Sequence, residues 1–69
     1  VLTATYAVSA VTGGDAGGGT CVLEPSDSFN LYSDGTDTLA IAVAADGSVT
    51  VQRTAGADTF KVSLWMVWH

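Results

Sequence analysis

The sequence predicts an all-β fold: a small antiparallel sandwich or open barrel of five or six strands, with a C-terminal three-stranded meander over residues 38–68. Three observations predict it. Short runs alternate apolar and polar residues with period two, clusters of Gly, Asp and Ser punctuate them, and Asp46-Gly47 falls between two such runs as a hairpin signal. The strongest run is the last. In Thr59 to His69, Phe60, Val62, Leu64, Met66 and Trp68 fall on one face and Lys61, Ser63, Trp65 and Val67 on the other. The second face begins polar and turns apolar at Trp65 and Val67, so the end of this strand requires cover on both sides.

Taken in order, Val1 to Val11 reads as a first strand, with Leu2, Tyr6 and Val8 opposite Thr3, Thr5 and Ser9. Residues 12–20 hold five of the eight glycines and are expected to be a loop. That loop lacks the lysine of a phosphate-binding P-loop and opens no helix, so a long turn is the reading kept. Thr20 to Glu24 is a short apolar segment stopped by Pro25, and Ser26-Asp27-Ser28 turns the chain. Phe29 to Tyr32 is a further strand, with Phe29 and Leu31 against Asn30 and Tyr32, ended by the turn cluster Ser33 to Asp37. Thr38 to Ala45 then puts Leu39, Ile41 and Val43 on one face and Ala40, Ala42 and Ala44 on the other. Ser48 to Thr54 answers it with Val49 and Val51, and Ala55 to Asp58 leads into the terminal strand. If both turns keep register, the apolar sets of residues 38–68 share one face.

At 69 residues and 7.0 kDa, residues 1–69 form a single domain, near the size at which a core alone supplies only about 3–5 kcal/mol. Cys21 is the only cysteine, so no internal disulfide staples the fold, and oligomerisation is the remaining device. Two basic residues against seven acidic ones exclude clustered contact with nucleic acid or anionic lipid, and no apolar run is long enough to span a membrane as a helix. No secretory signal is visible at the N-terminus, and Val1 either follows a removed initiator or begins a fragment.

Candidate sites are few. Trp65, Val67 and Trp68 are the expected interface residues, and the alanine row Ala40 and Ala42 offers a smooth strip where another copy lies close. Tyr32 with Asn30, beside a turn, is the candidate ligand-binding pair for a sugar or receptor, with Trp65, Trp68 and Tyr6 as further flat faces. Asp34 and Asp37 are read as turn residues and not as a calcium loop, because no EF-hand spacing follows. His69, the lone histidine, is expected to be solvated; three copies on an axis would be needed to gather a metal ion there. No cofactor or metal is expected. Cys21 reads as a small buried hydrophobe and Glu24 as a strand-end residue, which leaves no nucleophile, base or acid with a readable partner, so an enzyme is not expected.

The run Ala45 to Thr54, followed by Asp58 to Trp68, resembles the C-terminal meanders of tailed-bacteriophage virion proteins, of the tail-fibre and head-decoration kind. The resemblance covers about residues 38–69. It implies a β-rich module, commonly trimeric, that serves in the virion as a structural or host-binding part alongside other virion proteins. The function expected is therefore a structural component of a phage particle, with a carbohydrate- or receptor-binding module as the alternative.

Overall fold

A computed structural model describes residues 1–10 and 15–69. Among these, six strands and no helix are found: β1 (Leu2–Ala10), β2 (Asp15–Leu23), β3 (Ser28–Ser33), β4 (Thr38–Val43), β5 (Val49–Ala55) and β6 (Phe60–Trp68). All pairings are antiparallel, in two three-stranded sheets ordered β2-β1-β6 and β3-β4-β5. The architecture is an all-β sandwich, and its buried core draws Leu2, Ala4 and Val8 from β1, Cys21 and Leu23 from β2, Leu31 from β3, and Leu39, Ile41 and Val43 from β4. Alternation explains this set. Residues directly opposite one another across a ladder share a face, so Leu2, Leu23 and Trp68 point inward together, as do Val43 and Val49.

Two expectations are corrected. The meander is not residues 38–68 but β3-β4-β5, because the chain leaves that sheet after β5 and β6 pairs with β1 from Leu2↔Trp68 to Ala10↔Phe60. The apolar face of β6 can cover a core from either sheet, and joining β1 closes the sandwich where continuing the meander would leave one wide open sheet. The second correction concerns the glycine-rich segment. Residues 12–14 lie outside the described residues, but β2 begins at Asp15, so the second half of the expected loop is strand. Its small residues are required by close packing: a Cβ on Gly18 would sit 2.5 Å from the Tyr6 carbonyl oxygen, and one on Gly19 would meet the Tyr6 hydroxyl at 3.2 Å. A register shift between Val8 and Ser9 marks a bulge in this ladder.

The turns follow their residues. At Glu24-Pro25-Ser26-Asp27, Asp27 N donates to Glu24 O (3.0 Å) and Ser26 has φ 73°. This is type II turn geometry, with proline second and a left-handed residue third. The turn is anchored to the end of β4, where Ser26 N donates to Val43 O and Val43 N to Asp27 O. The β4–β5 turn has Gly47 N donating to Ala44 O, Ala44 N to Ser48 O, and a left-handed Gly47 at φ 91°. Only the glycine is left-handed, so the Asp-Gly signal builds a three-residue loop with a bulge and not a two-residue one.

Two predictions follow from these turns. A non-glycine residue held left-handed costs about 1–2 kcal/mol, and glycine gives back part of that through its looser unfolded chain, so Ser26→Gly should stabilise by up to about 1 kcal/mol. Denaturant unfolding measures it, and a loss of stability would show that the serine side chain outweighs the backbone strain. Asp46 Oδ1 accepts from Ser48 N at 2.9 Å, and bonds from the Ser48 backbone and side chain hold this carboxyl below its ordinary 3.8. A depressed folded value contributes stability that is present above 3.8 and lost as pH falls through the lower value. An NMR titration should place the Asp46 midpoint below 3.8, with amide protection of the hairpin declining over the same window.

Candidate functional site

The first candidate is the surface of β6. In the order β2-β1-β6 this strand is an edge, hydrogen-bonded to β1 along one side. Lys61, Ser63, Trp65 and Val67 point outward, and Trp65 is 73% exposed. On the inward side Phe60, Val62 and Leu64 pack against the core, but Met66 and Trp68 remain 44% and 49% exposed. Sheet β3-β4-β5 does not reach far enough to cover them. Trp68 extends only to the β4–β5 turn, where its Cζ2 would lie 3.9 Å from a Cβ on Gly47. The facing edge strand β5 is also poorly covered: Val51, opposite Ile41 and hence inward, stays exposed, while Val49 packs against the core.

Beside Trp65 the outer face is low. Trp65 lies opposite Thr5, Thr5 opposite Thr20, and the next row is Ser63, Ala7 and Gly18. These small side chains leave a shallow trough of about 320 Å³ lined by Thr5, Tyr6, Ala7, Ser63, Leu64 and Trp65. At the far end of the strand the termini are tied together, His69 N donating to Val1 O and the Val1 ammonium to His69 O. The His69 ring is solvent-exposed and shares a 2.8 Å hydrogen bond with Thr3 Oγ1.

The expected site residues are dispersed. Trp65 and Val67 lie on the outer face of one sheet, Trp68 on its inner face, and Ala40 and Ala42 are half-buried on the outer face of the other sheet. Asn30 and Tyr32 do not share a face as the plain alternation predicts. A bulge between them leaves Leu31 buried, sets Tyr32 opposite Leu39 and leaves Asn30 opposite Ala40 on the outside. The Tyr32 ring packs on Phe60 (centroids 5.1 Å apart) and its hydroxyl donates to Asp34 Oδ2 at 2.8 Å, a bond that raises the phenol above its ordinary value. Tyr6 packs on Phe29 at 6.2 Å, so neither tyrosine offers an open ring face comparable to Trp65. Cys21 is buried, and burial pushes its thiol up.

The second candidate was missed by the sequence reading. Asp34 behaves as a turn residue: its Oδ1 accepts from Thr36 N and Asp37 N at 2.9 and 2.7 Å, and these bonds, that from Asp37 first, lower its pKa. Asp37 does not. Only 1% exposed, it lies beneath the β5–β6 connection, where its Oδ1 accepts from Asp58 N at 3.2 Å and its Oδ2 has no donor. The Asp58 carboxyl is within hydrogen-bonding range of the Asp37 carboxyl, and that contact, with the charges of Asp37 and Asp34, raises the Asp58 pKa. Arg53 Nη1 donates to the Asp58 carbonyl. The signal was present in the alternation. Extended by one residue, the phase of Leu39, Ile41 and Val43 turns Asp37 inward.

No protein family, curated protein or solved structure matches this chain. The site must therefore be read from its own residues.

Gly56 supplies the test of this packing. It has φ 87°, and a Cβ there would overlap the Asp37 carboxyl and crowd its Cα. Gly56→Ala should cost more than the roughly 1–2 kcal/mol of a left-handed alanine, because Asp37 must also move. Equilibrium denaturation checks it, and a cost below that range would mean that the connection does not press on Asp37.

Proposed function

We propose that this chain is a structural module of a virus particle of the tailed-bacteriophage kind, located in the virion and assembling as a homo-oligomer, most simply a trimer, through β6. One observation carries the reading: on an edge strand, the four consecutive residues Trp65 to Trp68 are exposed on both faces. A long apolar edge with unpaired backbone groups is an aggregation template unless another strand or sheet meets it. Pairing with copies of the same chain satisfies that edge and covers the tryptophans, and it supplies the stability that a 69-residue core without a disulfide lacks. Other virion proteins are the further partners in this reading. Nucleic acid and membrane are not, since the chain carries two basic residues. Among the described residues no helix is long and apolar enough to cross a membrane. No catalytic role is proposed.

A second reading is favoured by the trough beside Trp65. An exposed indole next to threonine and serine hydroxyls is the surface on which a sugar ring stacks, so a carbohydrate- or receptor-binding module at a particle tip is the alternative. It shifts the ligand role from Tyr32 and Asn30, which face different sides, to Trp65.

Native mass spectrometry and light scattering test the assembly, and peptide mass spectrometry of purified particles tests the location. Three times 7.0 kDa is the expected mass, and a monomer with a sharp unfolding transition would overturn the oligomeric reading. Trp65→Ala should weaken association by about 2–4 kcal/mol while leaving the subunit folded. Leu64→Ala, on the inward face, should instead destabilise the fold at every concentration by about 2 kcal/mol or more. If Trp65→Ala leaves the mass unchanged but removes glycan or cell binding, the second reading replaces the first.

A further inference from the structure

The acidic end of the sandwich contains a carboxylate that its own chain does not satisfy. Asp37 is buried to within 1% of its surface, and burying a charge without a partner is costly enough that such groups pair, bind a metal or give up their charge. Oδ1 has the Asp58 amide, Oδ2 has no hydrogen-bond partner, and the side chain beside this carboxyl is another carboxyl, that of Asp58. Arg53, the cation in the neighbourhood, directs its Nη1 to the Asp58 main-chain carbonyl. Asp34 is occupied by the Tyr32 hydroxyl and two backbone amides.

We propose that Asp37 and Asp58 are the protein ligands of a divalent-cation site of the hard, oxygen-ligand class, best suited to Ca2+, between the start of β4 and the β5–β6 connection. A cation placed between the two carboxyl groups satisfies Asp37 Oδ2, offsets the repulsion between Asp37 and Asp58, and fastens the β5–β6 connection to the other sheet. Asp58 is exposed, which gives the ion an entry path and room for water. Among the described residues no three His, Cys, Asp or Glu side chains converge, so water and main-chain carbonyls complete the shell. Ca2+ accepts such mixed, irregular oxygen sets, whereas Mg2+ requires near-octahedral geometry and gives up its water reluctantly. With two carboxylates the affinity belongs to the weak class, about 10⁻⁴–10⁻³ M, typical of extracellular modules. The site departs from the calcium loop excluded on sequence grounds, because its second carboxylate is Asp58 and not Asp34.

The test uses the full chain, stripped with a chelator and titrated with calcium chloride at neutral pH, followed by calorimetry and thermal unfolding. Ca2+ should bind in the submillimolar to millimolar range and raise the unfolding midpoint by several degrees, with Mg2+ weaker. Asp58→Asn should weaken binding at least tenfold and, by removing the repulsion, raise the midpoint of the chelated protein. Asp46→Asn, in the distant hairpin turn, should bind as the parent does. Asp37→Asn should also lose binding; if it does not fold, Asp58→Asn decides alone. The proposal is overturned if Ca2+ gives neither heat nor a midpoint shift, if Asp58→Asn binds like the parent, or if acidification of the chelated protein stabilises it while Ca2+ does not, which would assign the pair a shared proton instead.

Discussion

The ladder between the last strand and the first is the contact on which the rest of this structure depends. Without β6, the sheet containing β1 is a two-stranded hairpin whose second strand carries Gly17, Gly18 and Gly19, and an isolated hairpin is marginal in water. Nine opposed pairs from Leu2↔Trp68 to Ala10↔Phe60 turn that hairpin into a sheet wide enough to lie over β3-β4-β5. Phe60, Val62 and Leu64 then complete the cover over the core, and Phe60 gives Tyr32 the ring it packs against. The same ladder ties the termini together through Val1 and His69.

That arrangement also sets where the molecule is incomplete. One sheet ends at β6 and the other at β5, and along this side inward residues of both, Met66, Trp68 and Val51, remain partly in water. A sandwich of three strands over three leaves this side narrow, and no strand of the six lies over it. The outward Trp65 and Val67 add apolar surface on the other side of the same edge. The opposite end of the sandwich is managed differently. There Asp37 is buried and the exposed Arg53 lies opposite Leu39, so the edge of the core is closed by polar groups linked through the β5–β6 connection.

Much of the fold was legible in the sequence because period-two alternation is a local property. Leu39, Ile41 and Val43 are buried and Ala40 and Ala42 face out, as their spacing requires, and Leu2 and Val8 point inward with Tyr6 half-covered between them. Pairing was not legible. The apolar face of β6 fits β1 as well as β5, and no local feature of residues 56–59 distinguishes a hairpin from a crossing between sheets. The glycines of β2 looked like a loop because conformational freedom is their commonest use; here their lack of a side chain serves the close approach to Tyr6. For the sites, the bulge at Leu31 that separates Asn30 from Tyr32 leaves no mark in the alternation. Asp37 was readable in principle, since strand phase does not stop where a turn cluster begins.

The pairing of Leu2 with Trp68 has a consequence for the order in which the structure forms. Strands β3, β4 and β5 are joined by short turns, so their hairpins close over small loops and need nothing from either end of the chain. The β1–β6 ladder joins residues separated by nearly the whole sequence, and such contacts repay their closure entropy late. The β3-β4-β5 sheet can therefore form first, with the cover over its apolar face, Leu39, Ile41 and Val43, incomplete until β6 joins β1. Until Phe60, Val62 and Leu64 dock, that face is the surface a chaperone would hold.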